Sequence, residues 1–304
     1  MEMEAIRIGV VLAGCLAATY YDLFKNRNVP NLLTYSMVSL GILFSIWDFV
    51  LNSVLSPSAP PLFSSAFFFS AALLFGPAIV LFIFGYFLYQ SGQIGGADIL
   101  VFVSIALLMP QQPASPFIKA SKPLVQIPYV FWIFVVSGVL FSAATFVSYF
   151  PKVWRGIAQK KIKLEIQKLL MAVFFLVLYG FVLWSTSRFV PPVYLAITAL
   201  VFVSAFFVYM FKDFIMDEYI IRMVPFEKIE EEDVLAIEKM DPQVVKKYKL
   251  QKLLSSKELE KLKGLPIKEY PIYQNLPCFM PYILAAVIIT LITGDIFLFL
   301  LKAA

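Results

Sequence analysis

Histidine is missing from all 304 residues. Its absence removes the commonest general base, the imidazole metal ligand and every Ser–His or Cys–His nucleophile pair. Cysteine is scarce: Cys15 and Cys278 stand alone in apolar stretches. Neither a zinc site nor a disulfide framework has support, and both cysteines read as packing residues. Charge is short as well. Charged residues make up 15% of the chain and hydrophobic residues 61%, with 31 Phe; soluble domains carry about 25% charged and roughly 45–50% apolar residues. With a mean hydropathy of +0.83, a water-soluble globule is excluded. Internal repeats and low-complexity tracts are absent too.

What charge there is collects in one place: 12 basic and 13 acidic residues lie between Lys212 and Asn275. The pattern predicts an all-α polytopic membrane protein of about eight transmembrane helices with a small cytosolic α+β insert. Crossing about 30 Å of hydrocarbon takes roughly 20 apolar residues. Such runs occur near residues 5–22, 33–55, 62–89, 127–149, 169–187, 192–211 and 277–301. An eighth, from Asp98 to Met109, is short; it is either a short helix or one kinked at Pro110 and continued. The first run has no basic n-region and no A-x-A cleavage site, so it reads as a retained span. The residues from Ser56 to Pro61 read as an outer turn. Within the insert the pattern predicts a strand from Tyr219 to Phe226, an acid-rich helix around Glu230 to Met240, and a helix near Ser256 to Lys263. Ser255 and Glu258 fit a capping box there, and Gly264 a stop.

Lys and Arg accumulate on the cytoplasmic side of membrane proteins. With the N-terminus outside, the inner segments hold Lys25, Arg27, six basic residues from Lys152 to Lys168 and the twelve of the insert. Only Arg7, Lys119, Lys122, Arg188 and Lys302 then lie outside. The net charge of +5 therefore reflects topology rather than a nucleic-acid partner.

Four aspartates, Asp22, Asp48, Asp98 and Asp295, sit in or at the ends of apolar runs, where a charge is costly and function is the default expectation. Depth separates them. Asp22 closes the first run and Asp98 opens the fourth, both at the cytosolic face. Asp48 lies about 22 Å along its span and Asp295 about 27 Å along the last, both near the outer face. Those two read as snorkelling or hydrogen-bonded acids. Asp22 and Asp98 together suggest an aspartic dyad, in which one acid carries a proton while its neighbour serves as a base at the same pH. Asp98 follows Gly92, Gly95 and Gly96, residues that permit a tight turn and a close approach of another backbone.

Asp22, then Lys25-Asn26-Arg27-Asn28-Val29-Pro30-Asn31, then Gly95-Gly96-Ala97-Asp98 resembles the GxGD-type aspartic peptidases that process type IV prepilins and archaeal preflagellins. The archaeal branch is the nearer pattern, with Ala97 in place of the third motif glycine. Pro277-Cys278-Phe279-Met280-Pro281 and the polar insert also look like archaeal members. Leu100 departs from the pattern, since many relatives carry lysine there. The resemblance implies Asp22 and Asp98 as the catalytic pair, with Gly95, Gly96, Ala97, Pro30 and Asn31 as substrate-binding positions. It further implies no metal and no cofactor, prepilin-like or preflagellin-like substrates as partners alongside the lipid bilayer, and a multi-pass protein of the cell membrane whose site faces the cytoplasm. The expected organisation is a catalytic core over 1–110, additional spans and a basic loop over 111–211, the polar insert over 212–275 and a final span over 276–304.

Two other readings stay open on the residues. A presenilin-like or signal-peptide-peptidase-like protease would share Tyr21-Asp22 and the Gly-rich Asp motif, but no Pro-Ala-Leu signature is present. An ion-coupled transporter would use membrane carboxylates and a broken helix, usually with acids near the midplane rather than at one face.

Overall fold

The computed structural model describes residues 2–25, 28–56, 61, 64–90, 94–113, 127–162, 166–274 and 276–294. Six helices are long and apolar enough to cross a membrane: α1 (Glu2–Phe24), α2 (Asn31–Ser53), α3 (Ser65–Gln90), α5 (Tyr129–Ala158), α6 (Ile166–Thr186) and α7 (Pro192–Ile215). Two shorter apolar helices, α4 (Gly96–Leu108) and α10 (Met280–Thr293), complete the set. Each coincides with one of the eight apolar runs in the sequence. The chain is a multi-pass membrane protein, and much of its apolar surface on α3 and α6, including Phe87, Phe174, Val177 and Trp184, is exposed as a lipid-facing surface must be.

The chain divides into two compact units. The first comprises residues 1–89, 93–140 and 278–304. At its centre is α4, whose residues from Val101 to Leu108 are all buried, packed against α2 and α1. Glycine lets α4 approach this closely. A Cβ on Gly41 would come within 2.8 Å of Leu107, and one on Gly85 within 2.5 Å of Ile99. Of the two possibilities for this short run, the structure has the short one: α4 ends at Leu108, with the Met109 amide donating to the Ile105 carbonyl and Pro110 unable to extend the helix. Surrounded by protein, it can stop short without presenting bare backbone to lipid. Two buried hydroxyls tie the unit together: Ser45 donates to the Leu107 carbonyl at 2.8 Å, and Tyr129 to Thr290 at 2.8 Å.

The second unit comprises residues 90–92 and 141–277. Tyr149, Val153, Phe207, Ile215 and Ile220 form its buried helical cluster. A π-helical turn, Met216–Ile220, leads from α7 into a small α+β element. There β1 (Ile221–Pro225) pairs antiparallel with β2 (Glu269–Tyr273) over a core that includes Leu235, Leu254, Leu262, Tyr270 and Ile272. The expected strand and the helix α9 (Ser256–Lys263) are present.

Two expectations for this element are corrected. The stretch from Glu230 to Met240 is not an α-helix; within it Ile237–Lys239 form a short 3₁₀ turn. Glu230 and Asp233, three apart, would repel on one helix face, and the chain turns instead: Asp233 accepts from the Glu230 amide at 2.9 Å, and Glu232 takes φ 72. Val234 and Leu235 then bridge to Leu253 and Ile272, which carries Leu235 into the core. The capping box does not form either. Ser255 stands at the N-cap without a side-chain bond, while Glu258, only 3% exposed, accepts from the Gln251 amide and pairs with Lys261. A helix the sequence reading passed over, α8 (Pro242–Tyr248), begins with Asp241 accepting from the Gln243 amide and Pro242 at its first position, a legible start signal.

Candidate active site

Asp22 lies near the C-terminal end of α1 on the stripe formed by Val11, Cys15 and Ala18, all buried. Helical spacing of 4, 3 and 4 keeps these four on the inward face, so Asp22 is only 9% exposed despite its charge. Asp98 lies in the first turn of α4, partly buried, two residues after the helix begins. Because α1 and α4 pack together, the two carboxylates come close enough to interact electrostatically. The backbone of Gly95, extended at φ −68 and ψ 144, lies against the Asp98 carboxylate. A Cβ there would stand 3.2 Å from Asp98 Oδ2.

The other residues singled out by the sequence fall in different places. Gly96 faces Tyr89, and a Cβ on it would stand 3.3 Å from that ring rather than against the aspartate. Ala97 packs partly buried against the core of the unit. Pro30 precedes α2 and Asn31, exposed, opens it; the Asn31 carbonyl accepts from Thr34, whose side chain is fully buried. Asp48 does not join the pair. It lies toward the far end of α2 and holds Arg7 through two bonds, at 2.5 and 2.6 Å, with Arg7 also donating to the Phe44 carbonyl. Asn26, Arg27, Gly92 and Asp295 lie outside the described residues, as does most of the turn from Ser56 to Pro61. Among the described residues no three carboxylate or thiolate side chains gather as a metal site would require.

Sequence reasoning missed one part of the site. The backbone amide of Met280, at the start of α10, donates to Asp22 Oδ2 at 3.2 Å, and the Cys278 thiol donates to the Asp22 carbonyl at 3.5 Å. Cys15 is a packing residue, 1% exposed, whereas Cys278 touches the backbone of a site aspartate. Pro281 at the second helical position is a start signal for α10. What no local signal carries is that this start lies on a residue 258 positions earlier.

A carboxylate held by a helix-start amide beside a second carboxylate in an apolar helix can divide the roles of acid and base between two chemically identical groups. Comparison with known proteins finds peptidases. The Type IV leader peptidase family matches residues 9–147, a stretch that holds both aspartates. The prepilin peptidase EppA of Methanothermobacter thermautotrophicus is 29% identical over 116 residues, which is 38% of this chain. That match spans only 26% of the relative's own length. No solved structure matches. Over residues 9–147, somewhat under half of its length, the chain is similar to the Type IV leader peptidase family.

Proposed function

We propose that this protein is an aspartic endopeptidase of the membrane that removes short basic leader peptides from prepilin-like or preflagellin-like proteins at the cytosolic face. The observation that supports this most is the approach of Asp22 and Asp98 across the α1–α4 contact. In the reaction one carboxylate takes a proton from water as the water oxygen adds to the scissile carbonyl carbon. The protonated partner gives its proton to the amide nitrogen as the C–N bond breaks, and proton exchange restores the pair. Neither acid can perform both steps. Activity therefore follows a bell in pH, since fully protonated and fully ionised pairs are both unproductive.

Topology supports the choice of substrate. The basic loops are concentrated on one side of the predicted spans, and the same rule keeps a basic leader on that side. The junction between leader and apolar helix then lies at the depth of Asp22 and Asp98. We assign substrate binding to Gly95, which lies against Asp98, together with Gly96, Ala97, Pro30 and Asn31.

The test is cleavage of a basic-leader substrate by the purified protein in liposomes, followed by mobility shift and N-terminal sequencing. Asp22→Asn and Asp98→Asn should each lower the rate by about 10²–10⁴ while leaving insertion intact, and the double variant should be no worse than either. Replacing leader lysines by glutamates should slow processing. Equal cutting of glutamate leaders, or a new N-terminus deep in the apolar helix, would overturn the leader-peptidase reading.

A further inference from the structure

We infer that Cys278, Phe279 and Met280, where the chain enters α10, form a brace that sets the orientation of Asp22 relative to Asp98, with the Met280 amide as its positioning group. This rests on the leader-peptidase reading of the site. Three neighbouring residues reach both aspartate-bearing helices. The Met280 amide donates to Asp22 Oδ2, and the Cys278 thiol to the Asp22 carbonyl, so the residue is held at side chain and backbone together. Between them, the Phe279 ring lies 6.1 Å from that of Phe102, one turn beyond Asp98 on α4.

The chemistry of the helix start suits this work. The amide of the first helical residue has no acceptor within its own helix, so donating to Asp22 takes nothing from α10. The aligned peptide dipoles of a 14-residue helix add a favourable field for an anion at that end. The brace is also stiff. Met280 is 2% exposed, and Ile283, Ala286 and Val287 along α10 are fully buried. Further along, Thr290 accepts the buried bond from Tyr129. A helix anchored this way cannot drift, and catalytic geometry lost by about 1 Å can cost a hundredfold in rate.

Proline at the first helical position leaves the helix in place but draws Phe279 out of its αR backbone conformation, so it perturbs the brace at the amide and at Phe279 together. Met280→Pro removes the donor and Met280→Ala keeps it, and both lose the methionine side chain. With the full-length protein in liposomes and a basic-leader substrate, kcat of Met280→Pro should fall at least about tenfold below that of Met280→Ala, the loss expected for one donor to a charged group, with KM alike in both. Equal kcat values would overturn the inference. Phe279→Ala tests the α4 side without touching the amide: its kcat should fall, and Phe279→Tyr should restore it. A Phe279→Ala enzyme as fast as wild type would remove Phe279 from the brace.

A readout independent of cleavage separates this inference from the function it rests on. In a Cys15→Ser background, a maleimide should label Cys278 about threefold or more faster in Met280→Pro than in Met280→Ala, as the loosened junction opens. If the wild-type protein cuts no leader, the leader-peptidase reading falls, and labelling alone decides the brace. Equal labelling rates would then overturn it.

Discussion

Adjacent glycines at the entry to α4 meet different neighbours, and this separates their effects. A side chain at Gly95 strikes Asp98 Oδ2, while one at Gly96 strikes the Tyr89 ring. Gly95→Ala should therefore lower kcat about tenfold by displacing the carboxylate. Gly96→Val should also lose cleavage, but through Tyr89. Adding Tyr89→Ala should recover part of the Gly96→Val activity and none of the Gly95→Ala activity, a coupling that a double-mutant cycle on cleavage rates measures. Asp48, paired with Arg7, is expected to serve stability rather than chemistry. Its partner Arg7 has a side chain only 11% exposed, with Nε buried and without a hydrogen-bond partner. Asp48→Asn leaves that guanidinium without its counter-charge. We expect a loss of about 1–3 kcal/mol, read as a lower Tm in detergent, with cleavage retained. Recovery of Tm in Arg7→Met/Asp48→Leu would follow from the same principle.

Two elements carry the architecture of their units. In the first, α4 stands in the middle because its neighbours offer glycine where it passes closest. A side chain at Gly85 would collide with Ile99, the residue after Asp98, so Gly85→Val should lower stability by about 1–3 kcal/mol and reduce cleavage together with it. In the second unit, the π-helical turn after α7 presents Tyr219 to Lys152 of α5. The ammonium lies 4.7 Å from the Tyr149 ring centre and 4.8 Å from that of Tyr219. Nearby, Lys161 pairs with Glu218, and Lys239 with Asp217. These links fasten the π turn to the basic loop after α5 and to the α+β element. Lys152→Met keeps most of the stem and removes the charge. It should cost about 1 kcal/mol, measured by thermal unfolding of the whole protein in detergent.

At the scale of the molecule, sidedness is the property on which the proposed function depends. Lys160 and Arg188 flank α6, a helix of 21 residues that reaches about 32 Å at 1.5 Å per residue. The positive-inside count places Lys160 inside and Arg188 outside. In a Cys15→Ser/Cys278→Ser background, an impermeant maleimide applied to sealed right-side-out cells should label Arg188→Cys and spare Lys160→Cys. The opposite pattern would put Asp22 and Asp98 on the wrong side for a basic leader, and would turn the proposal over at its topological step.

Composition and periodicity were enough to locate eight apolar helices and to single out Asp22 and Asp98 as candidates, because hydropathy and helix ends are local properties written in consecutive residues. Asp241-Pro242 carried α8 in the same local way, although the sequence reading passed over it. Only the tertiary structure decided that α4 is short and enclosed by protein, since that depends on glycines of α2 and α3 facing Leu107 and Ile99. Only it decided that the acids from Glu230 to Asp233 turn rather than coil, because the bridges of Val234 and Leu235 to distant residues outweigh a helical pattern in this stretch. The contact of Met280 with Asp22 is the extreme case: its geometry is fixed by the packing of α1 against α10, a long-range cooperation of buried surfaces that leaves no mark in either segment alone.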